Sequence, residues 1–264
     1  LINSRRVLLY TFRHLYLYKR SLPRLMEIFY WPILDLTLWG FVGLYLTRYK
    51  GSVPNFVTFF LGALILWDIL FRSQQGISVS FLEDLWSRNL LNIFISPLSP
   101  VEYVVSLIVM SLIKLSLATS VLTVLAWLLY AFNVFTIGPA LIPLALNLII
   151  MGWSIGIITT AVILRYGQQA EVLAWGLALL FQPISAVFYP VSVLPPWLRH
   201  IVAFIPSAHV FEGMRAVISG GPFPTGHLIW AFLLNIAYVA ISILFFSWNF
   251  RAVKDRGLLV KTGE

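Results

Sequence analysis

Six long apolar runs divide the chain, at residues 28–46, 53–71, 103–132, 139–164, 172–189 and 228–250. A helix rises about 1.5 Å per residue, so about 20 apolar residues cross roughly 30 Å of hydrocarbon. The runs are continuous and do not alternate, which excludes barrel strands, whose lipid-facing and lumen-facing residues alternate in segments of about ten. The pattern predicts a single all-α polytopic membrane domain over 1–264 with six transmembrane helices.

Three stretches do not fit a span. In residues 1–27, Val7, Leu8, Phe12 and Leu15 share a helical face, while Arg5, Arg6, Arg13, Lys19 and Arg20 supply charge. Tyr10, Tyr16 and Tyr18 suit the headgroup layer. This reads as an amphipathic helix in the inner interface, or as a basic start that fixes topology.

The second stretch joins the second and third runs. Ser80-Phe81-Leu82-Glu83 has the form of a capping box. Leu82, Leu85, Trp86, Leu90, Ile93 and Phe94 then recur at helical spacing against Glu83, Asp84, Arg88, Asn89 and Asn92, and Pro97 and Pro100 stop the pattern. A short amphipathic helix over about 80–94 is expected, either lying on lipid or docked in a partner's groove. Acidic Glu83 and Asp84 disfavour an anionic lipid surface and favour docking.

The third stretch, 191–227, opens with Leu194-Pro195-Pro196-Trp197 and continues as two short apolar pieces broken at Pro206. Neither is long enough to cross, and a re-entrant hairpin satisfies its backbone only when packed inside protein. His209, Glu212 and Arg215, spaced three apart, form a polar stripe. It would be an outer gate or exit lip, or else an internal ion pair that pins the hairpin.

Ionisable groups within spans are costly and point to function. Asp35, three residues after Pro32, lies within the first run, and Lys114, within the third, is a possible partner that could otherwise snorkel toward the cytoplasm. Asp68 and Arg72 are four apart at the inner end of the second run and suit an ion pair. Gly152 and Gly156 permit close helix approach. These groups are few and scattered, unlike the clusters of an ion-coupled carrier.

Composition agrees with the pattern. Of 264 residues, 60% are hydrophobic and only 11% charged, against roughly a quarter in soluble domains; mean hydropathy is +0.90. The net charge of +8 gathers at the two ends, which fits anionic headgroups rather than nucleic acid. With both termini inside, thirteen Lys and Arg are cytoplasmic: six before the first span, then Arg72, Arg88 and Arg165, and four in the tail. Four are external (Arg48, Lys50, Arg199 and Arg215), and Lys114 completes the eighteen. That bias places both termini in the cytoplasm of an inner-membrane protein. Residues 1–24 lack the short apolar core of a signal peptide. There is no cysteine, so thiolate chemistry is excluded and the redox compartment is unread.

Soluble-enzyme signatures are missing. Gly257-Leu258-Leu259-Val260-Lys261-Thr262 lacks the glycine that a phosphate-binding loop needs before its lysine. His14, His200, His209 and His227 show no metal-ligand spacing, and no serine nucleophile elbow is present. An intramembrane enzyme would need a buried polar pair in facing helices, for which Asp35 alone is poor support.

The stretch Phe188-Tyr189-Pro190-Val191-Ser192-Val193-Leu194-Pro195-Pro196-Trp197-Leu198, followed by Pro206-Ser207, His209, Glu212-Gly213 and Arg215, resembles the signature region of ABC-2 type permeases. These are transmembrane subunits of ATP-binding-cassette exporters for drugs, nodulation lipooligosaccharide, O-antigen and teichoic acid. Many members have Asn-Pro where this chain has Ile205-Pro206. The resemblance implies a homodimer, or a pair with a paralogous permease, embedded in lipid and bound to two ATPase subunits. The cytoplasmic helix would couple to the ATPase through Glu83, Asp84, Leu85, Trp86, Arg88 and Asn89. ATP and Mg would sit on the partner, with no cofactor in this chain, and spans one, two and five would border the pathway. The implied cargo is an amphipathic or hydrophobic molecule (drug, lipid or lipid-linked glycan), with polysaccharide export as the alternative. A stand-alone channel or ion-coupled carrier is the reading from another class.

Overall fold

The computed structural model describes residues 2–49 and 56–255. Lys50, Arg256 and Lys261, used above to orient the chain, lie outside the described residues, as do the expected start of the second span at 53 and the side chains of Arg48 and Phe94.

Every long element among the described residues is helical. Asn3 caps α1 (Ser4–Lys19), and a break at Arg20 and Ser21 leads into α2 (Leu22–Tyr49), which carries Pro32. The third helix, α3 (Phe56–Trp86), is followed by the six-residue α4 (Leu90–Ile95). Next comes α5 (Pro100–Tyr130), ended by Ala131 in the left-handed region. A 3-10 stretch (Val134–Ala140) leads into α6 (Leu141–Tyr166), which Gly167 ends at φ 67. The rest is α7 (Val172–Ile184), α8 (Pro196–Val202), α9 (Pro206–Ile218) and α10 (Thr225–Asp255).

Four helical stretches are long and apolar enough to cross a membrane: Leu22–Tyr45, Pro100–Tyr130, Val134–Ala170 and Thr225–Asp255. Counting α8 and α9 as one broken span, bent by 99°, makes five. The expected second and fifth spans differ from these in kind. The second half of α3 carries Arg72, Gln74, Gln75, Glu83 and Asp84, and α7 has only 13 residues.

The helix predicted over about 80–94 is not one element. The supposed capping box at Ser80 lies in mid-helix, because residues 77–85 are buried and continue the packing of α3. The chain turns at 87–89. Asn89 N donates to Asp84 O at 3.0 Å and Arg88 N to Leu85 O at 2.9 Å, a Schellman arrangement with Arg88 left-handed at φ 51. The Ser-x-x-Glu that does cap a helix is Ser99–Glu102. Glu102 N donates to Ser99 Oγ at 3.2 Å, Ser99 N donates to Glu102 Oε2 at 2.8 Å, and Pro100 takes the first helical position.

At the centre, α3 packs against α5 and α6, and hydrogen bonds to α5 and α7 take up part of its polar surface, while Asp68 Oδ2 and Gln74 Oε1 stay buried without a partner among the described residues. Gln74 Nε2 donates to Ala174 O of α7 at 3.1 Å, and Ser111 Oγ of α5 donates to Ser73 O at 3.0 Å. Gly152 and Gly156 lie where α6 meets α3. A Cβ on Gly152 would stand 2.5 Å from Leu70 O, so the pair serves contact within the chain. On the other side of α6, Asn235 of α10 donates to Asn147 O at 2.9 Å.

Candidate functional site: a tryptophan-lined cavity and the C-terminal end of α3

A cavity of about 650 Å³ opens between α2, α3, α5 and α7. Trp31 and Trp39 of α2, Trp67 of α3 and Trp175 of α7 line it, with Leu64, Phe71, Leu122 and Leu179 adding apolar wall. Asp35, Asp68, Arg72, Gln75 and Gln182 are its polar groups. Arg72 Nε donates to Asp68 Oδ1 at 3.2 Å, so the expected Asp68–Arg72 ion pair forms, and Arg72 Nη1 donates to Gln75 Oε1 at 3.1 Å.

The partnership suggested for Asp35 and Lys114 is not what the fold gives. Asp35 faces this cavity, whereas Lys114 lines a small neighbouring cleft with Tyr18, Arg24 and Gln75. There Lys114 Nζ donates to Ser80 Oγ at 2.9 Å and stands 4.4 Å from the centroid of the Tyr18 ring. Arg72 and Gln75 border both spaces, joining the cleft to the cavity.

The C-terminal end of α3 is clasped by α1. Glu83 and Asp84 are buried, at 6% and 1% exposure, so neither presents a carboxylate to a partner. Fully buried His14 stands between them, with Nε2 at 3.4 Å from Asp84 Oδ2 and Nδ1 at 3.6 Å from Glu83 Oε2. His14 Nε2 donates to the Tyr10 hydroxyl at 2.9 Å, and Tyr10 in turn donates to Asp84. Tyr18 donates to Glu83 at 2.6 Å, Tyr103 to Asp84 at 3.1 Å and Arg13 to Asp84 at 3.0 Å.

This cluster lies beyond the apolar stretch of α3. Burial alone would push both carboxyl pKa values up. The close imidazole of His14 leads the opposing effects, which hold Glu83 and Asp84 below their usual range. Burial would likewise lower His14, but the two carboxylates outweigh it and raise its pKa. Buried among carboxylates, the Tyr10 phenol is pushed far above its ordinary value.

The rest of the predicted coupling segment divides by exposure. Leu85 is buried at 2%, while Trp86 is exposed and donates from Nε1 to Glu171 Oε2 at the start of α7, at 3.1 Å. Arg88 is exposed in the turn, and Asn89 Oδ1 accepts from Asn92 Nδ2 at 3.1 Å.

At the other end, Glu212 and Arg215 of α9 pair at 2.9 Å. Arg215 Nη1 donates to Ala186 O at 2.8 Å, and Val191 N donates to Glu212 Oε1 at 2.7 Å. His209 leaves the stripe, its Nε2 lying 2.9 Å from Ala203 O. Pro195, Pro196 and Trp197 are exposed at the start of α8.

The profile of the ABC-2 family transporter protein matches residues 40–249, most of the chain. The chain belongs to the ABC-2 transporter family. It is a multi-pass ABC-2 permease. No curated protein matches it.

Within this permease, sequence reasoning missed Tyr10, His14, Tyr18 and Tyr103. A signal existed: residues 10, 14 and 18 recur every four positions, so they share one helical face. The structure buries Val7, Tyr10, Thr11, His14 and Tyr18 against protein and leaves Leu8 and Phe12 exposed. The apolar face expected for α1 is therefore split, and its tyrosines 10 and 18 point inward instead of toward headgroups.

Proposed function

We propose that the chain is the membrane subunit of an ATP-driven exporter, non-catalytic itself, working as two copies with a separate ATPase on each. ATP and Mg bind to that partner. Both termini lie in the cytoplasm, six spans cross the inner membrane (α3 and α7 completing the set), and cargo moves along the cavity bordered by α2, α3 and α7.

One observation carries this reading: α3 is both the cavity wall and the support of the cytoplasmic turn. Trp67, Asp68, Phe71, Arg72 and Gln75 line the cavity, and Trp86 ends the same helix eleven residues beyond Gln75. Eleven residues of helix span about 16 Å. A push on the turn at 87–89 therefore moves the cavity wall as a rigid rod, while the clasp on Glu83 and Asp84 makes α1 move with it. Trp86, Arg88, Asn89 and the exposed side of α4, including Asn92 and Ile95, are the surface left for the ATPase. Glu83, Asp84 and Leu85 act from beneath by holding that surface. Export of an amphipathic or hydrophobic cargo suits the apolar wall. Stacking of sugar rings on the tryptophans supports polysaccharide as the second cargo.

Purification of the intact chain from its own membranes is expected to bring down an ATPase of different sequence in equal amount. Trp86→Ala with Arg88→Glu should leave insertion unchanged and lose that ATPase. Undiminished recruitment would refute the docking surface, and solute flux through the chain alone in vesicles would favour a channel.

A further inference from the structure

The polar groups of the cavity are unbalanced in a way that names a cargo chemistry. Two carboxylates, Asp35 and Asp68, face it, against one guanidinium, Arg72. That guanidinium is already engaged with Asp68 Oδ1 and Gln75 Oε1. The other oxygen, Asp68 Oδ2, is buried and makes no hydrogen bond among the described residues. Asp35 makes no ion pair or hydrogen bond among them. An excess of carboxylate over guanidinium charge at membrane depth is costly.

Around this excess charge stand Trp31, Trp39, Trp67 and Trp175, four of the ten tryptophans in the chain. Indole faces attract cations, and a desolvated contact strengthens that attraction. At about 650 Å³ the cavity falls within the ordinary range for small-molecule sites, roughly 300–1,000 Å³.

We propose that this cavity selects an amphipathic organic cation, a quaternary ammonium or similar apolar onium group, seated on the tryptophans with its charge toward Asp35. The proposal rests on the cavity being the cargo pathway. An anion of the same shape would meet two carboxylates offset only by the single guanidinium of Arg72, which is already engaged. A neutral sugar would stack on the indoles but leave the excess negative charge of the cavity unbalanced. Lys114 and Arg24 lie in the adjoining cleft, outside the tryptophan wall, so they do not neutralise Asp35 at this site.

Two probe ions of nearly equal size and opposite charge separate these cases: tetraphenylphosphonium and tetraphenylborate. Binding is read by equilibrium dialysis and tryptophan quenching on the permease with its ATPase in lipid nanodiscs, with empty discs subtracted. Tetraphenylphosphonium should bind saturably and tetraphenylborate should not displace it. Asp35→Asn should weaken the cation about tenfold, Asp35→Glu should restore most of the affinity, and Trp175→Leu should weaken it severalfold.

Equal binding of the two ions, or an unchanged affinity in Asp35→Asn, would overturn the proposal. So would saturable binding of a neutral oligosaccharide that displaces the cation and ignores Asp35→Asn. Folding of each variant is checked by its ability to retain the ATPase. Retention of the ATPase without charge selectivity sinks this inference alone, whereas a wild-type chain that recruits no ATPase sinks the transporter reading beneath it.

Discussion

The imidazole Nε2 of His14 stands 3.4 Å from the carboxylate of Asp84, with both side chains closed to solvent. This pair joins α1 to α3, and its protonation sets when the clasp holds. The folded pKa of His14 is raised, so the stability it adds is whole below its unfolded value, about 6.5, and is lost as pH climbs through the raised value. Glu83 and Asp84 are depressed. Their contribution is present above the ordinary carboxyl range, about pH 4, and is lost as pH falls through the lowered values. The other polar groups facing the pair are Tyr10, Arg13 and Tyr18 of α1, Arg24 of α2, and Tyr103 and Lys114 of α5. Protection of the α1 amides from hydrogen exchange should therefore be greatest from about pH 5 to 6.5 and weaken on both sides. In His14→Gln the alkaline loss should vanish while the acid loss stays. Flat protection from pH 5 to 9 in the wild type would contradict this account.

How much of this was legible in the sequence depended on what each signal measures. The long apolar runs of α5, α6 and α10 could be read because twenty consecutive apolar residues have few alternatives. The end of α3 misled, because Ser80-x-x-Glu83 and an amphipathic periodicity describe a buried helix end as well as a separate surface helix. Burial by α1, which lies some seventy residues away in the chain, decides between them, and local spacing carries no such information. The cavity was only half visible: Asp35 stood out as an intramembrane acid, but its tryptophans come from three helices that only the fold brings together.

Close approach of α6 to α3 makes Gly152 the least replaceable of its pair. A Cβ there would lie 2.5 Å from Leu70 O and 2.7 Å from Ser73 Cβ, and the first of these is backbone that cannot swing aside. At Gly156 the nearest atom, Gln74 O, is 2.9 Å away. Overpacking costs about 1–3 kcal/mol. Gly152→Ala should fall at the upper end and Gly156→Ala nearer the middle, measured as loss of thermal stability in detergent. A smaller loss at 152 than at 156 would show that α3 can move away.

Arg88 occupies the left-handed position where a Schellman turn usually carries glycine. The left-handed conformation costs a side-chain-bearing residue roughly 1–2 kcal/mol, and the greater freedom of unfolded glycine gives back about 0.4–1. Arg88→Gly should thus stabilise the isolated permease by about 0.5–1 kcal/mol. The same variant should hold its ATPase less firmly, because the arginine side chain belongs to the proposed docking surface. A stabilised variant with full ATPase affinity would leave the strained arginine without that role.

In α9 the two readings of the His209, Glu212 and Arg215 stripe make opposite demands on Arg215. Its guanidinium holds the carbonyl of Ala186, a buried residue with φ 50, while Glu212 takes the amide of Val191. The ion pair therefore fixes the 186–191 stretch to α9, beside the Ser185–Ser207 contact at 2.6 Å. If its work is to pin this corner, Arg215→Ala leaves a partly buried carboxylate alone and should cost about 2–4 kcal/mol. Removing both charges in Glu212→Gln with Arg215→Met should cost less than that single change, a non-additivity expected of a shared pair. A cysteine replacing Tyr189 should react faster with an impermeant thiol reagent in the single variant than in the double. If the stripe were a gate, stability would be nearly unchanged in all of these, and the difference would appear in transport rate alone.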